Sequence, residues 1–297
     1  MSTLGTHMEE ELRSQPEMWR RAMDVAAAGT ALPEAGEKVA ILGCGTSWFV
    51  AQAFAALREE LGLGLTDAFT ASEAPLGSRE YDSVILLSRS GTTSEVIEIA
   101  EQLRGRSRLV GIVGDEDSPL PDLVAGTVAL GFADEKSVVQ TRFATTALAL
   151  LRAHLGDKVH DAARQAEAVL ESEPAAHLLE SEQMTFLGTG FSVGIAHEAA
   201  LKLRESAQAW TESYPAMEYR HGPKAITAPG RVVWAFGQVP DGLAQEVQAM
   251  GGTFEHNDID PMADLVRAHL VALARARALG LDPDHPRNLT RSVILDS

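Results

Sequence analysis

The ten residues VAILGCGTSW, numbered 39–48, decide the fold of this chain. Five apolar or small residues, Val39–Gly43, precede a turn with two glycines, and a helical pattern then continues to about Leu61. Similar apolar runs, most of them separated by helical segments, occur at 83–87, 109–113, 127–130, 184–188 and 232–237. Short apolar runs between helices are typical of a parallel sheet that is covered on both faces. The sequence therefore predicts an α/β fold.

The pattern of residues 39–61 returns 145 positions later in the chain. We expect a helix from about Val193 to Trp210 after the strand at 184–188, and six residues match: Leu42 with Leu187, Gly43 with Gly188, Gly45 with Gly190, Ser47 with Ser192, Ala51 with Ala196 and Ala55 with Ala200. The matches favour a duplicated α/β domain, although two unrelated strand–turn–helix junctions could also produce them. Because Phe254–Pro261 leads almost directly into the last predicted helix, we expect the second domain to be short of one strand.

Length and composition limit the classes of protein to which this chain can belong. Its 297 residues are 45% hydrophobic and 23% charged, which is typical of a globular protein. The net charge of −17 disfavours binding to nucleic acid or to an anionic membrane surface, so we expect neither partner. A single cysteine, Cys44, cannot form an internal disulfide, and neither an apolar leader nor a run of eighteen apolar residues occurs. We therefore predict a cytoplasmic location.

The turn Gly43–Trp48 is similar to a dinucleotide-binding turn but lacks one of its parts. That motif needs a third small residue where the helix packs against the strand, and Trp48 stands there, which argues against NAD. The two glycines still permit a tight turn that exposes backbone N–H groups and the hydroxyl of Ser47. A purely structural turn could have the same sequence.

The stretch Ser88–Glu95, SRSGTTSE, predicts a phosphate site. It lies between an expected strand and an expected helix, whose first N–H groups and partial positive charge attract a phosphate. Gly91 lets the backbone approach the ligand closely, and Arg89 could add a charged hydrogen bond. The alternative is a simple helix cap, with Glu95 in a capping box. One hydroxyl is enough for a cap, whereas four surround the glycine: Ser88, Ser90, Thr92 and Thr93.

Glu198, Lys202 and Glu205 share one face of the second long helix because their spacing is i, i+4 and i+7. Spacing alone favours a solvent-exposed Glu–Lys–Glu ladder. The functional alternative is that a carboxylate moves a proton between neighbouring carbons of a sugar while the lysine stabilises an oxyanion. The pattern leaves both interpretations open.

A polar turn is expected at Glu218–Lys224. Pro223 keeps Gly222 out of helical geometry, so His221 lies at a chain reversal. A lone histidine in such a position is more often structural than catalytic. The other eight histidines show no ligand-like cluster, and we therefore predict neither a metal nor another cofactor.

Taken together, these segments resemble the sugar isomerase (SIS) domain family, and within it the isomerase half of the isomerising glutamine–fructose-6-phosphate aminotransferases. Seven segments follow the family's order along nearly the whole chain: 9–16, 43–47, 88–93, 135–146, 199–205, 221–223 and 286–293. The resemblance implies two tandem flavodoxin-like SIS domains, each a parallel sheet flanked by helices, with the second one shortened. It also implies a homodimer in which His221 is contributed across the interface.

The same resemblance implies domain boundaries and residue roles. The expected parts are an N-terminal helix (1–35), a first SIS domain with the phosphate loop (36–157), a connecting helix (158–182) and a second SIS domain with the catalytic helix, histidine loop and C-terminal tail (183–297). Glu205 would move the proton between C1 and C2, Lys202 and Glu198 would support it, and His221 would assist ring opening. The residues that would contact the sugar and its phosphate are Gly45, Thr46, Ser47, Ser88, Arg89, Ser90, Thr93, Ser137 and Val138.

The chain departs from that family in three ways, of which the expected loss of a strand is one. It has no glutaminase domain and no N-terminal catalytic cysteine, so we expect no transfer of nitrogen from glutamine within this chain. Arg291 stands where the family has a lysine that can form an imine. A guanidinium stays protonated and cannot do so, but Arg291 could bind a phosphate or enediolate oxygen of the substrate.

The sequence thus predicts an enzyme that binds a sugar 6-phosphate and carries out aldose–ketose proton transfer, with release of nitrogen from an amino-sugar phosphate or a fructosamine-type adduct. The alternative is a non-catalytic phosphosugar sensor. The acidic charge and the lack of a DNA-binding segment count against a sensor that acts on DNA. An inactive structural homologue is disfavoured because Glu205 and His221 are both present.

Overall fold

The computed structural model describes residues 4–157 and 159–295 of the chain. Its first sheet is parallel and has the strand order β2-β1-β3-β4-β5. The strands are β1 (Val39–Gly43), β2 (Thr66–Thr70), β3 (Ser83–Ser88), β4 (Arg108–Val113) and β5 (Gly126–Ala129). The helices that accompany them are α2 (Thr46–Glu60), α3 (Ser94–Leu103), α4 (Leu120–Leu123) and α5 (Arg142–His154). This is the flavodoxin-like order, which confirms the predicted α/β fold.

The second sheet is also parallel but has only four strands in the described part of the chain, in the order β7-β6-β8-β9. They are β6 (Gln183–Gly188), β7 (Thr211–Pro215), β8 (Arg231–Phe236) and β9 (Thr253–His256). Helices α8 (Ser192–Ala207), α9 (Leu243–Ala249) and α10 (Pro261–Ala278) accompany it. The prediction that the second domain is one strand short is therefore confirmed.

The chain forms two compact units, each made of separated stretches. The first-sheet unit consists of Glu17–Glu135, Arg142–Val159 and Thr290–Ser297, and the second-sheet unit of Met1–Pro16, Lys136–Thr141 and His160–Leu289. Helix α1 (Thr6–Ala27) contributes residues to both. The domain boundaries expected from the sequence remain a prediction, and their positions 1, 158 and 297 lie outside the described residues.

Glycine makes the two matching strand–turn–helix junctions compact. A Cβ atom at Gly43 would lie 2.5 Å from the Cβ atom of Ser47, and one at Gly188 would collide with the backbone of Ser192. A side chain at either glycine would force the strand and helix apart. Helices α2 and α8 can therefore begin directly against the ends of β1 and β6.

Three local features differ from the sequence-based expectation. The stretch expected as one connecting helix forms two, α6 (His160–Leu170) and α7 (Ala176–Glu180), because Pro174 lacks an N–H group and disfavours helical geometry in the residue before it. Helix α8 ends at Ala207 rather than at Trp210, because Gln208 adopts a left-handed conformation with φ of 52°. The edge strands β2, β7 and β9 were not predicted, since they contain polar residues and are only partly buried.

In the described part of the chain, we find no helix of the length and apolar character that crossing a bilayer requires.

Candidate functional site

The two ligand-binding segments predicted for the first-sheet unit follow neighbouring strands. Gly43 ends β1 and Ser88 ends β3, and the two strands pair in parallel, with Leu42 opposite Leu86. The connections from β1 and β3 lead to opposite edges of the sheet, which makes this pair the topological switch point. Ligands of open α/β sheets bind beyond the carboxyl ends of the strands at such a point. The structure therefore brings the predicted turn and phosphate loop together.

In the phosphate loop, Ser88–Thr93, side-chain hydroxyl groups accept hydrogen bonds from the backbone of the same loop. The Gly91 N–H donates to Oγ of Ser88 at 3.1 Å, and the Thr92 N–H donates to Oγ of Ser90 at 3.2 Å. Gly91 has a positive φ of 61°, and a Cβ atom there would collide with Oγ of Ser118. The side chains of Ser88, Arg89 and Ser90 are buried. No side chain caps helix α3, so the interpretation of this loop as a simple helix cap is wrong.

The hydroxyl groups of the loop converge on Ser292, which sequence analysis did not select. Oγ of Ser292 lies 3.1 Å from Oγ of Ser90, 3.0 Å from Oγ1 of Thr92 and 3.5 Å from Oγ1 of Thr93. Ser292 is about 200 positions away from these residues in the sequence. The only sequence signal for Ser292 was that it lies in the segment 286–293, which resembles the family's C-terminal tail.

Arg291 lies beside the same loop, but its guanidinium faces an acidic residue. It donates to both carboxylate oxygens of Asp134, at 2.6 and 2.8 Å, and to the carbonyl oxygen of Glu135. Its own carbonyl oxygen accepts a hydrogen bond from Nη2 of Arg89 at 2.9 Å. Binding of a substrate oxygen by Arg291 stays a prediction, and it would require this pairing with Asp134 to rearrange.

The turn after β1 provides the first residues of helix α2. Gly45 occupies the N-cap position with φ of 54°, and the side chains of Thr46 and Ser47 are almost completely buried. Burial, together with the nearby charge of Glu95, raises the pKa of the Cys44 thiol to about 11. Cys44 therefore remains protonated at neutral pH and is a poor nucleophile.

The second-sheet unit contains the Glu198–Lys202–Glu205 cluster on α8. Lys202 is 1% exposed, Glu198 3% and Glu205 21%. Nζ of Lys202 lies 3.7 Å from Oε1 of Glu198 and forms a close ion pair with Oε2 of Glu205. The solvent-exposed ladder favoured by spacing alone is therefore wrong, because Lys202 and Glu198 are buried.

His269 of α10 is a buried histidine near this cluster, and sequence analysis did not select it. Its side chain is completely buried, and Nδ1 lies 3.3 Å from Nε2 of Gln15. Burial, with a smaller contribution from the charge of Lys202, lowers the pKa of His269 to about 3. The imidazole is neutral at physiological pH. Its position in an apolar helical pattern gave no signal of this environment.

His221 lies at the predicted chain reversal. It ends a short 3-10 helix, and Gly222, with φ of 134°, separates that helix from a second one. The imidazole is exposed and bonds to no side chain within 4–157 and 159–295. Its neighbours Arg220 and Lys224 both pair with Glu246. The turn is thus held by other residues, and the ring of His221 is accessible.

Ser137 and Val138 lie in a bent loop segment of the second-sheet unit, before α5 begins. Oγ of Ser137 donates to the carbonyl oxygen of Pro283 at 3.1 Å, and the Val138 N–H donates to that of Asp284 at 3.3 Å. The carboxylate of Glu11 accepts from the Lys136 N–H at 2.5 Å. The segment is therefore firmly positioned, and its contact with a sugar stays a prediction.

A search of the described residues finds no group of three or more His, Cys, Asp or Glu side chains that could hold a metal ion.

Residues 32–153 match the SIS domain family. The chain contains an SIS domain. The match spans all five strands of the first sheet, and it includes both the turn after β1 and the phosphate loop.

Known enzymes are similar to most of the chain. It is 29% identical over 319 residues to the isomerising glutamine–fructose-6-phosphate aminotransferase of Gloeobacter violaceus, an alignment that covers 88% of this chain and 52% of that enzyme. The chain thus spans about half the length of the curated relatives that it matches.

Two solved structures share the fold. The glucosamine-6-phosphate deaminase of Thermotoga maritima matches with a TM-score of 0.78 and 23% identity, over 96% of this chain and 99% of that chain. The C-terminal domain of the glucosamine-fructose-6-phosphate aminotransferase of Francisella tularensis matches with a TM-score of 0.76 and 20% identity, over 94% and 98%.

Proposed function

We propose that this chain is an enzyme of the phosphosugar isomerase and deaminase type, which binds a sugar 6-phosphate and transfers a proton between C1 and C2 of the open-chain sugar. The observation that carries the proposal is the burial of Lys202 and Glu198 beside Glu205. Taking ions out of water costs several kcal/mol each, roughly, so this arrangement is unlike a surface ladder. Buried ionisable groups of this kind cluster at functional sites.

The phosphate would bind at the first-sheet unit through Ser47, Ser88, Arg89, Ser90 and Thr93. No side chain caps the N-terminus of α3, and the loop lies at the switch point, and both observations support this assignment. The sugar itself would contact Gly45, Thr46, Ser137 and Val138. We include a cytoplasmic location in the proposal, on the basis of the single cysteine and the acidic charge.

In the proposed reaction, the carboxylate of Glu205 removes the proton bound to C2 of an aldose and returns it to C1. The electron pair of the broken C–H bond forms the C1–C2 double bond of an enediolate, whose charge the ammonium of Lys202 stabilises. If C2 carries an amine, transfer of the proton to C1 leaves an imine at C2, which water hydrolyses to a ketose and ammonia. His221 would assist ring opening from a partner subunit, so a homodimer belongs to the proposal.

Replacing Glu205 by glutamine tests the proposal because it removes the base and preserves the shape. Binding of glucosamine 6-phosphate, measured by calorimetry, should persist. Exchange of the C2 hydrogen in deuterated water, followed by NMR, should slow by about 10²–10⁴-fold. Glu173→Gln, an exposed change in the same unit, is the matched control and should leave the exchange rate unchanged.

Exchange at the wild-type rate in Glu205→Gln would exclude Glu205 as the base. If the wild-type protein binds the sugar phosphate but catalyses no exchange with any aldose or amino-sugar 6-phosphate, the sensor alternative is favoured instead.

A further inference from the structure

The C-terminal tail, Thr290–Leu295, offers an oxygen to the loop hydroxyls that would bind a phosphate. Oγ of Ser292 accepts hydrogen bonds from Oγ of Ser90 at 3.1 Å and from Oγ1 of Thr92 at 3.0 Å. A phosphate oxygen also accepts hydrogen bonds from two hydroxyls in such a loop. Ser292 therefore stands in for one oxygen of the ligand.

Two carbonyl oxygens of the tail accept hydrogen bonds, one from a guanidinium N–H of the same loop and one from the first backbone N–H of α3. The carbonyl oxygen of Arg291 accepts from Nη2 of Arg89 at 2.9 Å, and that of Val293 accepts from the N–H of Ser94 at 3.2 Å. Ser94 is the first residue of α3, so its N–H is one of the groups that make a helix N-terminus attractive to anions. The tail thus supplies three acceptor oxygens within one short segment, as a phosphate group does.

Each hydroxyl or N–H proton can be donated fully to only one acceptor. We propose that residues Arg291–Val293 act as an internal substitute for the phosphate, and that a sugar phosphate binds the loop only by displacing them. This inference rests on the proposed function, since it concerns the same phosphate loop. The tail would then compete with the substrate. The strength with which the tail binds the loop would set the apparent affinity of the site for the substrate.

The tail is held by polar contacts and not by apolar burial, which makes displacement feasible. The Arg291–Asp134 pair anchors it, and both side chains are about one-third exposed, at 37% and 34%. Beyond the anchor, the apolar side chains of Val293, Ile294 and Leu295 are 52%, 68% and 56% exposed. Solvent screening limits the strength of the anchoring pair, so we expect release to cost little.

Weakening the anchor without touching the loop tests the inference. Asp134→Asn should bind glucosamine 6-phosphate and inorganic phosphate about twofold to fivefold more tightly in calorimetry, because the competing tail is loosened. Ser292→Ala, which removes the substitute oxygen, should also bind more tightly. Asp122→Asn, an exposed change in the same unit, should bind as the wild type does. Circular dichroism checks that each variant is folded.

The outcomes separate this inference from the proposed function. Unchanged or weaker binding in Asp134→Asn, or weaker binding in Ser292→Ala, would overturn the inference and leave the phosphate site standing. Absence of phosphate binding by the wild type and by both variants would overturn both. In a second measurement on the wild-type protein, glucosamine 6-phosphate should accelerate cleavage by trypsin after Arg291, followed by mass spectrometry, and slower cleavage would contradict displacement.

Discussion

Ser47 and Ser192 hold matching places in the two strand–turn–helix junctions, yet their hydroxyl groups do different things. Oγ of Ser192 accepts from the Thr189 N–H at 2.8 Å and donates to the carbonyl oxygen of Phe236 at 2.8 Å. The hydroxyl of Ser47 bonds to no other residue that the structure describes. The same motif therefore stabilises the chain in the second-sheet unit, whereas in the first-sheet unit its hydroxyl belongs to the proposed ligand site.

The two units also differ in their use of charge. The phosphate loop presents mainly neutral donors, whereas α8 of the second-sheet unit buries Lys202 with two carboxylates. Changes in the second-sheet unit should therefore affect stability and its pH dependence, and changes in the ligand-facing hydroxyls of the first should affect binding.

The largest effect on stability should follow from Lys202→Met, which preserves volume but leaves Glu198 and Glu205 without their cation. Breaking a buried ion pair by removing one partner typically costs about 3–5 kcal/mol of the free energy of unfolding. Lys224→Met is the matched control, because Lys224 pairs with Glu246 near the surface, and it should cost less than about 1 kcal/mol. Urea denaturation measures both, and equal losses would contradict the comparison.

Two groups on α10 should give the stability of the second-sheet unit opposite responses to pH. Burial raises the pKa of Asp264 to about 6, so its contribution to stability is present below about pH 4 and is lost as the pH rises to 6. The pKa of His269, lowered to about 3, gives a contribution that is present above about pH 6.5 and is lost as the pH falls towards 3.

Asp264→Asn and His269→Asn separate these contributions. The measured quantity is the free energy of unfolding of the variant minus that of the wild type. For Asp264→Asn this difference should be higher at pH 7 than at pH 4, by up to about 3 kcal/mol. For His269→Asn the same difference should be higher at pH 4 than at pH 7, by roughly a few kcal/mol. A difference from the wild type that does not vary with pH would show that the substituted group keeps its ordinary pKa in the folded protein.

The smallest effects should come from the matched serines. Ser192→Ala should lower the free energy of unfolding by about 1–3 kcal/mol, because it removes the hydrogen bonds of the Ser192 hydroxyl to the Thr189 N–H and to the buried carbonyl oxygen of Phe236. Ser47→Ala should change stability by less than about 0.5 kcal/mol but weaken binding of glucosamine 6-phosphate about tenfold. Thermal unfolding measures the stability of both variants and calorimetry measures their binding. Equal or reversed effects would contradict the different roles assigned to Ser47 and Ser192.

The sequence predicted the central strands because each carries a dense local signal, whereas phosphate binding at Ser88–Thr93 stays a prediction. Strands β1 and β3 are buried on both faces and read as continuous apolar runs, whereas the edge strands β2 and β7 are polar and half-buried. The hydroxyl groups around Gly91 exceed what a helix cap needs, and the structure has no such cap.

The features that sequence analysis missed depend on packing between distant parts of the chain. Helical spacing placed Glu198, Lys202 and Glu205 on one face, but it could not show that Lys202 and Glu198 are buried in the folded chain. The environment of His269 and the position of Ser292 on the loop arise in the same way, from contacts across 254 and about 200 positions. No local pattern reports such contacts.

Both units are closed by contacts between distant positions, and this has a consequence for folding kinetics. Asp134 and Arg291 are 157 positions apart, and Met8 and Asp284 are 276 positions apart. Long-range closure is slow because the entropy of a large loop must be lost before the contact forms. We therefore expect the sheets to form first and the tail to dock in a late phase. During refolding, the loop would pass through a period in which its donors are still free, and a phosphate present then would delay docking of the tail.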